Sequence, residues 1–288
     1  MTRKTILVTG ADGQLGSELR ELAIGDTRFS FLFATRADLD ITNAQAVRDF
    51  FMRHNVDVVF NCAAYTAVDK AESERDKAQA VNVTGVELLA DACYRYKAVL
   101  FHISTDFVFD GSKNTPYAEI DATNPLGVYG HTKLQGERVA LQRNPQTIVI
   151  RTSWVYSSFG NNFVKTMLRL GQEKPELKVV NDQLGSPTYA KDLAEAMLQM
   201  LTEMQSRHFG QVYHFSNDGV LSWFDFATSI LRNKNIATSV SPIPTSGYPT
   251  PAKRPAYSVL DKTKIQRDFK IRLKPWEESL KECLTQLD

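Results

Sequence analysis

The stretch TILVTGADGQLG, residues 5–16, decides the fold of this chain. Its first four residues are apolar and mostly β-branched, as expected of a strand that is buried on both faces of a parallel sheet. Glycines follow at every third position from residue 10, and the run SELREL after them predicts a helix. A strand, a glycine loop and a helix in this order indicate a dinucleotide-binding turn, where a pyrophosphate meets the free N–H groups of a helix N-terminus. The spacing is G-x-x-G-x-x-G rather than G-x-G-x-x-G, and an ordinary glycine-rich turn is the alternative.

Strand-like and helix-like segments alternate through the first half of the chain. The runs that predict strands are 29–34, 56–62, 99–103 and 147–151. The runs that predict helices are 43–53 with Thr42 as N-cap, one long amphipathic helix within 71–96, and 129–141. This alternation predicts an α/β fold with a doubly wound parallel sheet of the Rossmann type, whose ligand crevice lies at the carboxyl ends of the strands.

The second half of the chain has a looser pattern, and prolines gather between residues 242 and 255. We therefore predict a dinucleotide-binding domain over 1–155 and a smaller, mainly substrate-binding region over 156–288. The strand-like run at 212–215 predicts that segments near 212–230 return to the main sheet.

Composition and charge exclude several classes of protein. The 288 residues are 43% hydrophobic and 23% charged, which is typical of a globular protein. The 34 basic residues nearly balance the 33 acidic ones, which argues against sequence-independent binding to nucleic acid or to an anionic membrane. Three scattered cysteines give no disulfide framework, and five histidines form no H-x-x-x-H pair that would indicate zinc. With no signal-peptide pattern and no long apolar run, the sequence predicts a cytoplasmic protein.

Tyr129 is the only one of ten tyrosines that has a lysine four residues later, at Lys133. In a helix the two side chains project from one face, about one turn apart. A lysine ammonium there favours the phenolate and is expected to lower the phenol pKa from about 10, so that the tyrosine exchanges a proton near neutral pH. Reduction of a ketone needs such a group. The alternative is a solvated Tyr–Lys pair on a surface helix.

Three further clusters stand at the ends of predicted strands, in the segments 61–69, 104–111 and 151–156. Small residues in the first let a flat cofactor lie against the strand tip. The Thr105 hydroxyl in the second can donate to a carbonyl oxygen beside Tyr129, and Trp154 in the third offers an aromatic face to a sugar ring. Ordinary turn chemistry explains the first two clusters as well, and a core tryptophan explains the third.

Together these motifs resemble the extended short-chain dehydrogenase/reductase superfamily, and within it the dTDP-4-dehydrorhamnose reductase family. The segments that carry the closer resemblance are 64–72, 104–111, 129–133, 151–156, 182–188 and Arg254-Pro255. They run nearly from end to end of the chain. One departure is Phe107, which stands where many members have a tyrosine, so a hydroxyl that faces the substrate is lost there.

The resemblance implies NAD(P)H-dependent reduction of the C4 ketone of dTDP-4-dehydro-L-rhamnose to dTDP-L-rhamnose, a step of nucleotide-sugar and cell-surface polysaccharide biosynthesis. Tyr129 is then the general acid, Lys133 lowers its pKa and holds the nicotinamide ribose, and Thr105 orients the carbonyl. The substrate contacts expected beside Thr105 are Asp106, Val68, Trp154 and Arg254. Arg254 is assigned to the diphosphate, with a surface arginine as its alternative. The cofactor contacts expected beside Tyr129 and Lys133 are Gly10, Gly13, Gln14, Leu15, Gly16, Thr35, Arg36, Asp40, Ile41, Ala63, Ala64, Tyr65 and Thr66.

The choice of cofactor follows from the end of the second strand, which reads Ala34-Thr35-Arg36 with no acid before Asp38. An acid at this point would hold the adenosine ribose and repel a 2′-phosphate. Threonine followed by arginine accepts the phosphate, so we expect NADPH, with NADH as the alternative. Alternatively, Arg36 is only a solvated charge in a loop and does not contact the cofactor.

Other functions stay open at this stage. An epimerase or dehydratase of the same superfamily, a reductase of another nucleotide sugar, and a non-catalytic NADP-binding regulatory subunit share parts of the pattern. The resemblance also implies Mg²⁺ held by glutamates at a dimer contact in some members. No acidic cluster of diagnostic spacing assigns those ligands here, so Mg²⁺ and a homodimer rest on the resemblance alone.

Overall fold

A computed structural model describes residues 3–287 as a mixed α/β protein. The strands in chain order are β1 Lys4–Thr9, β2 Phe29–Ala34, β3 Val58–Asn61, β4 Val99–Thr105, β5 Thr147–Thr152, β6 Val155–Tyr156, β7 Glu176–Val180, β8 Leu184–Gly185, β9 Thr188–Tyr189, β10 Gln211–Phe215, β11 Leu221–Ser222 and β12 Ser239–Ile243. The α-helices are α1 Gln14–Ala23, α2 Ala44–Arg53, α3 Val68–Ala71, α4 Arg75–Gln79, α5 Gly85–Tyr96, α6 Val128–Arg143, α7 Phe163–Glu173, α8 Ala190–Glu203, α9 Trp223–Asn233, α10 Thr263–Phe269 and α11 Trp276–Leu284.

Six strands form the central sheet in the order β10-β5-β4-β3-β1-β2, and every neighbouring pair is parallel. The predicted fold class is thus confirmed. The strand order reverses between β1 and β3, and the crevice of a doubly wound sheet lies at such a switch point. β10 lies at the edge beside β5, so a segment from the second half of the chain completes the main sheet. The domain boundary near residue 155 stays a prediction.

Apolar side chains fill both faces of this sheet. On one face, buried residues of β1 and α1 pack with the buried side of α8, including Leu19 and Met197. On the other, β3 and β4 are covered by α2 and α5, where Phe51 and Leu89 are buried. A separate cluster around Phe226 joins α7, α9 and α11 beside the short strands of the second half. Helices α1, α2 and α5 turn their apolar stripes inwards, which is the arrangement that the amphipathic runs predict.

Two predicted elements need correction. The N-cap of α2 is Asn43, whose side chain accepts from the backbone N–H groups of Gln45 and Ala46, whereas the Thr42 hydroxyl donates to Asp40 at 2.7 Å. The long helix predicted within 71–96 is wrong as a single regular helix. It consists of α4 and α5 joined by a π-helical turn at Ala80–Thr84, and α3 lies before them. Such turns often occur at functional sites.

Candidate active site

The glycine loop packs so tightly that side chains are excluded from it. Gly10 has φ +62°, and a Cβ added there would lie 2.8 Å from the backbone of Ala63. A Cβ on Gly16 would lie 2.4 Å from the carbonyl oxygen of Gly10. Helix α1 therefore begins directly against the end of β1, and its N-cap Gly13 offers no side chain to the first N–H groups. This cradle fits a pyrophosphate, which those N–H groups and the helix dipole favour.

The loop after β3 is held by a residue that the sequence analysis missed. Asn82, on the π-helical turn, accepts from Tyr65 N at 2.8 Å and donates to Tyr65 O at 3.1 Å. Its amide also donates to the Thr132 hydroxyl of α6 at 3.1 Å. A Cβ on Gly136 would lie 2.2 Å from the Asn82 carbonyl oxygen, so α6 runs unusually close to this turn. Asn82 thus ties the segment Ala63–Thr66, expected to contact the cofactor, to the helix that carries Tyr129.

The end of β2 presents the residues expected near the adenosine. Asp38 accepts from the backbone and the hydroxyl of Thr35, at 2.9 and 2.7 Å. Arg36 is exposed and lies 3.6 Å from Asp40. The Ile41 side chain packs where a Cβ on Gly85 would be, within 2.8 Å, so it lies beside the π-helical turn. At this strand end the exposed Asp38 carboxylate is held by Thr35, and the Arg36 guanidinium is also exposed.

Tyr129 and Thr105 meet at the end of β4. Tyr129 is the second residue of α6, Thr105 is the last residue of β4, and their side chains lie close enough to interact. The Phe107 ring lies edge-on to the Tyr129 ring, with centroids 5.6 Å apart. A Cβ on Gly130 would lie 2.2 Å from the Phe107 carbonyl oxygen, so only glycine lets α6 begin this close to the turn after β4. The expected proton donor and carbonyl-orienting hydroxyl are therefore side by side.

Lys133 lies one turn along the same helix and is 2% exposed. Its ammonium donates to the Ile103 carbonyl oxygen of β4 at 2.6 Å. Burial lowers the pKa of Lys133 to about 8, and the nearby Glu137 partly opposes this. An ammonium has three donors, so two remain for other partners.

The expected lowering of the Tyr129 pKa by Lys133 is wrong for this arrangement. Burial raises the pKa of Tyr129 to about 12, a hydrogen bond with Thr105 acts against this, and the charge of Asp106 adds to it. The phenol is consequently protonated at neutral pH. That state suits a group that gives a proton to a developing alkoxide, because a proton donor must hold its proton before the reaction.

Behind Lys133 lies a buried ion pair between Glu137 of α6 and Arg151 of β5. Arg151 donates to the carboxylate through Nε at 2.9 Å and through Nη2 at 2.7 Å, and the two side chains are 5% and 3% exposed. The Ser104 hydroxyl donates to the same carboxylate. This bidentate pair fixes α6 against β4 and β5, and it places a negative charge on the side of Lys133 away from Tyr129.

Comparison with known proteins identifies the family. The family model described as the RmlD substrate binding domain matches residues 4–288. The chain belongs to the RmlD substrate binding domain family. A protein of Aggregatibacter actinomycetemcomitans named dTDP-4-dehydrorhamnose reductase is 43% identical, over 96% of this chain and 97% of its own length. The family resemblance drawn from the motifs is thus confirmed.

Solved structures agree with this assignment. A dTDP-4-dehydrorhamnose reductase from Clostridium acetobutylicum superposes with a TM-score of 0.94 at 43% identity, covering 98% of this chain and 99% of that one. One from Bacillus anthracis, solved in complex with NADP, has a TM-score of 0.94 at 36% identity, covering 99% and 100%. Proteins 17% identical, such as dTDP-glucose 4,6-dehydratase from Streptomyces venezuelae, share the fold.

In this member of the RmlD substrate binding domain family, Asp106 is the residue expected to contact the sugar nucleotide for which a direct contact with Thr105 is observed. Thr105 Oγ1 donates to Asp106 Oδ1 at 3.0 Å, and burial raises the pKa of Asp106 to about 6. Trp154 stacks on Trp223 with ring centroids 3.6 Å apart, so part of the aromatic face predicted for the sugar is already covered. Val68 is the first residue of α3 and is half-buried. These contacts with substrate stay predictions.

Arg254 already has partners within the chain. Its guanidinium forms an ion pair with Asp69 at 2.8 Å, and it donates to the Thr250 hydroxyl at 2.5 Å. The pair joins α3 to the proline-rich segment of the second half. A diphosphate would have to share this guanidinium with Asp69, so the assignment of Arg254 to the diphosphate stays a prediction.

Nothing in the described residues supports the Mg²⁺ that the family resemblance implies at a dimer contact. Within residues 3–287, no group of three or more His, Cys, Asp or Glu side chains could hold a metal ion. The acidic residues nearest to such a cluster lie between α1, α8 and α11, and they are engaged. Glu282 pairs with Lys191 at 2.5 Å and with Lys274 at 3.4 Å, and Glu18 accepts from Ser157 at 2.6 Å.

In the same described part, no helix is long and apolar enough to cross a membrane.

Proposed function

We propose that the protein reduces the C4 ketone of dTDP-4-dehydro-L-rhamnose to dTDP-L-rhamnose with NADPH as the electron donor. The observation that carries the proposal is the contact between Tyr129 and Thr105 at the end of β4, with Lys133 one turn along the same helix. The relatives named dTDP-4-dehydrorhamnose reductase, which match nearly the whole chain, support the choice of substrate.

The glycine cradle and the N-terminus of α1 fit the pyrophosphate of a dinucleotide, and the exposed Arg36 fits a 2′-phosphate. The NADP complex of the Bacillus anthracis relative supports the same cofactor. When bound, NADPH supplies the hydride that reaches C4 of the sugar. Lys133 keeps two donors for the ribose hydroxyls after its bond to Ile103.

The chain's own residues handle the proton. As C4 is reduced, its oxygen gathers negative charge, and the Thr105 hydroxyl positions that oxygen beside Tyr129. Tyr129 holds its proton at neutral pH because burial raises its pKa to about 12, and it gives that proton to an oxygen that is a stronger base in the product-like state. The Phe107 ring packs against the Tyr129 ring and helps to hold the phenol in place.

The test is consumption of NADPH with dTDP-4-dehydro-L-rhamnose, with product stereochemistry read by NMR. One NADPH oxidised for each sugar reduced supports the proposal. Conversion without net oxidation contradicts it and favours an epimerase or dehydratase, and NADPH binding without turnover favours a regulatory subunit. Running NADH in parallel decides between the two cofactors.

The substitution Tyr129→Phe tests the assigned proton donor. We expect it to abolish turnover and to leave NADPH binding near normal, because only the phenolic hydroxyl is lost. Tyr156→Phe is the matched control, since the buried Tyr156 hydroxyl has no hydrogen-bond partner in the described structure. An unchanged rate for Tyr129→Phe would refute the role.

We further propose a cytoplasmic location, because the three cysteines are free thiols, as a reducing compartment favours. A homodimer stays a prediction, which sedimentation velocity tests.

A further inference from the structure

We propose that Trp223 is a positioning residue for sugar recognition, acting through Trp154. The inference rests on the proposed function and extends it, because it concerns how the sugar-binding side of the crevice keeps its shape. Trp223 lies on α9, far along the chain from every strand-end motif that the sequence singles out.

The register of the sheet places Trp154 shortly after the strand residue that pairs with Thr105. Thr152 pairs with Thr105 across β5 and β4, and Trp154 follows two residues later. Its backbone has φ +48°, in the left-handed region that bulky residues rarely adopt. Such a conformation persists only where the surroundings impose it, and it is concentrated at ligand sites.

The backbone around Trp154 is anchored on both sides of the strained residue. The Trp154 carbonyl oxygen accepts from Thr188 N at 3.2 Å. The hydroxyl of the preceding Ser153 donates to the Ser186 carbonyl oxygen at 2.6 Å and is buried. These two bonds hold the peptide groups, but they do not set the direction of the indole.

The indole itself is held by Trp223 and Gly185. The Trp223 ring stacks on Trp154 at 3.6 Å between centroids and 11° between planes. A Cβ added at Gly185 would lie 2.6 Å from Trp154 Cε2 and 2.9 Å from Nε1, so only glycine leaves room for the ring. Both indoles stay half-buried, which leaves part of the stacked pair at the surface of the crevice.

Trp223 is a rigid partner because its own place is fixed. It is the first residue of α9, directly after Ser222, which forms a reciprocal capping box with Asp225. β11 pairs with β8 so that Leu221 opposes Gly185. Gly185 and Trp223, the two neighbours of the Trp154 ring, are therefore held together by this strand pair. The Phe163 ring supports Trp223 from α7, with centroids 4.6 Å apart.

This arrangement gives Trp154 one orientation before substrate arrives. A preorganised contact residue loses little freedom on binding, whereas a loose indole on a strained backbone must be ordered by the ligand. Removing the stack should therefore weaken capture of the sugar nucleotide. Aromatic pairing of this kind corresponds to about a three- to tenfold change in an equilibrium, which sets the expected size of the effect.

The test compares Trp223→Leu, Trp223→Phe and wild type in the NADPH-oxidation assay. We expect Trp223→Leu to raise KM for dTDP-4-dehydro-L-rhamnose about three- to tenfold, with kcat, NADPH affinity and the pH profile little changed. Trp223→Phe keeps an aromatic face and should recover most of the loss. The matched control is Trp276→Leu, which removes a tryptophan from the same apolar cluster without touching Trp154.

A wild-type protein that turns over, with KM unchanged in Trp223→Leu or raised equally in Trp276→Leu, overturns the inference alone. A wild-type protein that oxidises no NADPH with this sugar overturns the proposed function instead. If Trp223→Leu does not fold, Phe163→Leu decides the matter, because it removes the ring that supports Trp223 and leaves Trp154 and Gly185 unchanged. Under the proposal it raises the same KM, and an unaltered KM contradicts it.

Discussion

Replacing Asp106 by asparagine should stabilise the fold at neutral pH while it damages the site. Asp106 is 1% exposed, and burial raises its pKa from 3.8 to about 6. Because one pKa unit corresponds to about 1.4 kcal/mol, the ionised carboxylate destabilises the folded state by about 3 kcal/mol. A neutral amide of the same shape escapes this cost, and an increase of roughly 5–10 °C in Tm is expected for a chain of this size.

The pH dependence gives the sign of the effect. The folded pKa of Asp106 lies above its unfolded value, so the folded state binds more protons between pH 3.8 and about 6, and stability from this group falls as pH rises through that window. The advantage of Asp106→Asn should be full above pH 6 and should vanish towards pH 4. Urea unfolding of both proteins across this range measures it. An advantage that does not change with pH refutes the reasoning.

The control lies four residues away on the same segment. Hydrogen bonds from Asn124 and Ser112 hold the pKa of Asp110 well below its usual range, so its ionised form stabilises the fold. Asp110→Asn should thus lower stability at neutral pH, opposite in sign to Asp106→Asn. Steady-state kinetics on Asp106→Asn should show a loss of kcat/KM despite the added stability, since the carboxylate borders Thr105.

Three more outcomes are expected. Glu137→Leu should lower the free energy of unfolding by about 3–5 kcal/mol, because it leaves the Arg151 guanidinium buried and unpaired, and adding Arg151→Met should recover most of the loss in chemical denaturation. Gly16→Ala should abolish NADPH binding measured by calorimetry, since its Cβ would lie 2.4 Å from the Gly10 carbonyl oxygen; normal affinity would contradict the tight cradle. Asn82→Ala should weaken NADPH binding more than it lowers Tm, because the amide holds the loop expected to contact the cofactor, and an equal Kd would argue against that role.

Local patterns in the sequence were sufficient to predict the sheet and the proximity of Tyr129 and Thr105. Apolar β-branched runs form strands wherever both faces are buried, and the start of α6 brings Tyr129 beside Thr105 at the end of β4. The predicted strand 29–34 has those bounds in the structure. Placing these residues requires only the order of strands and helices along the chain, so it needs no knowledge of side-chain packing.

Features that depend on contacts between distant residues were beyond such patterns. The break in the predicted helix within 71–96 arises where Gly136 of α6 meets the Asn82 carbonyl. The pKa of Tyr129 depends on burial, which overrides the expected influence of Lys133. The engagement of Arg254 by Asp69 joins residues far apart in sequence, and neither motif indicates the other.

The place of β10 at the edge of the sheet has a consequence for synthesis on the ribosome. Its partner β5 is complete at Thr152, but β10 begins only at Gln211, so the growing chain shows an open strand edge while some 60 further residues are added. At ordinary elongation rates that interval is roughly 3–12 s. An unpaired parallel edge is prone to pair with other chains, so truncation before residue 211 should produce aggregates rather than a smaller folded unit.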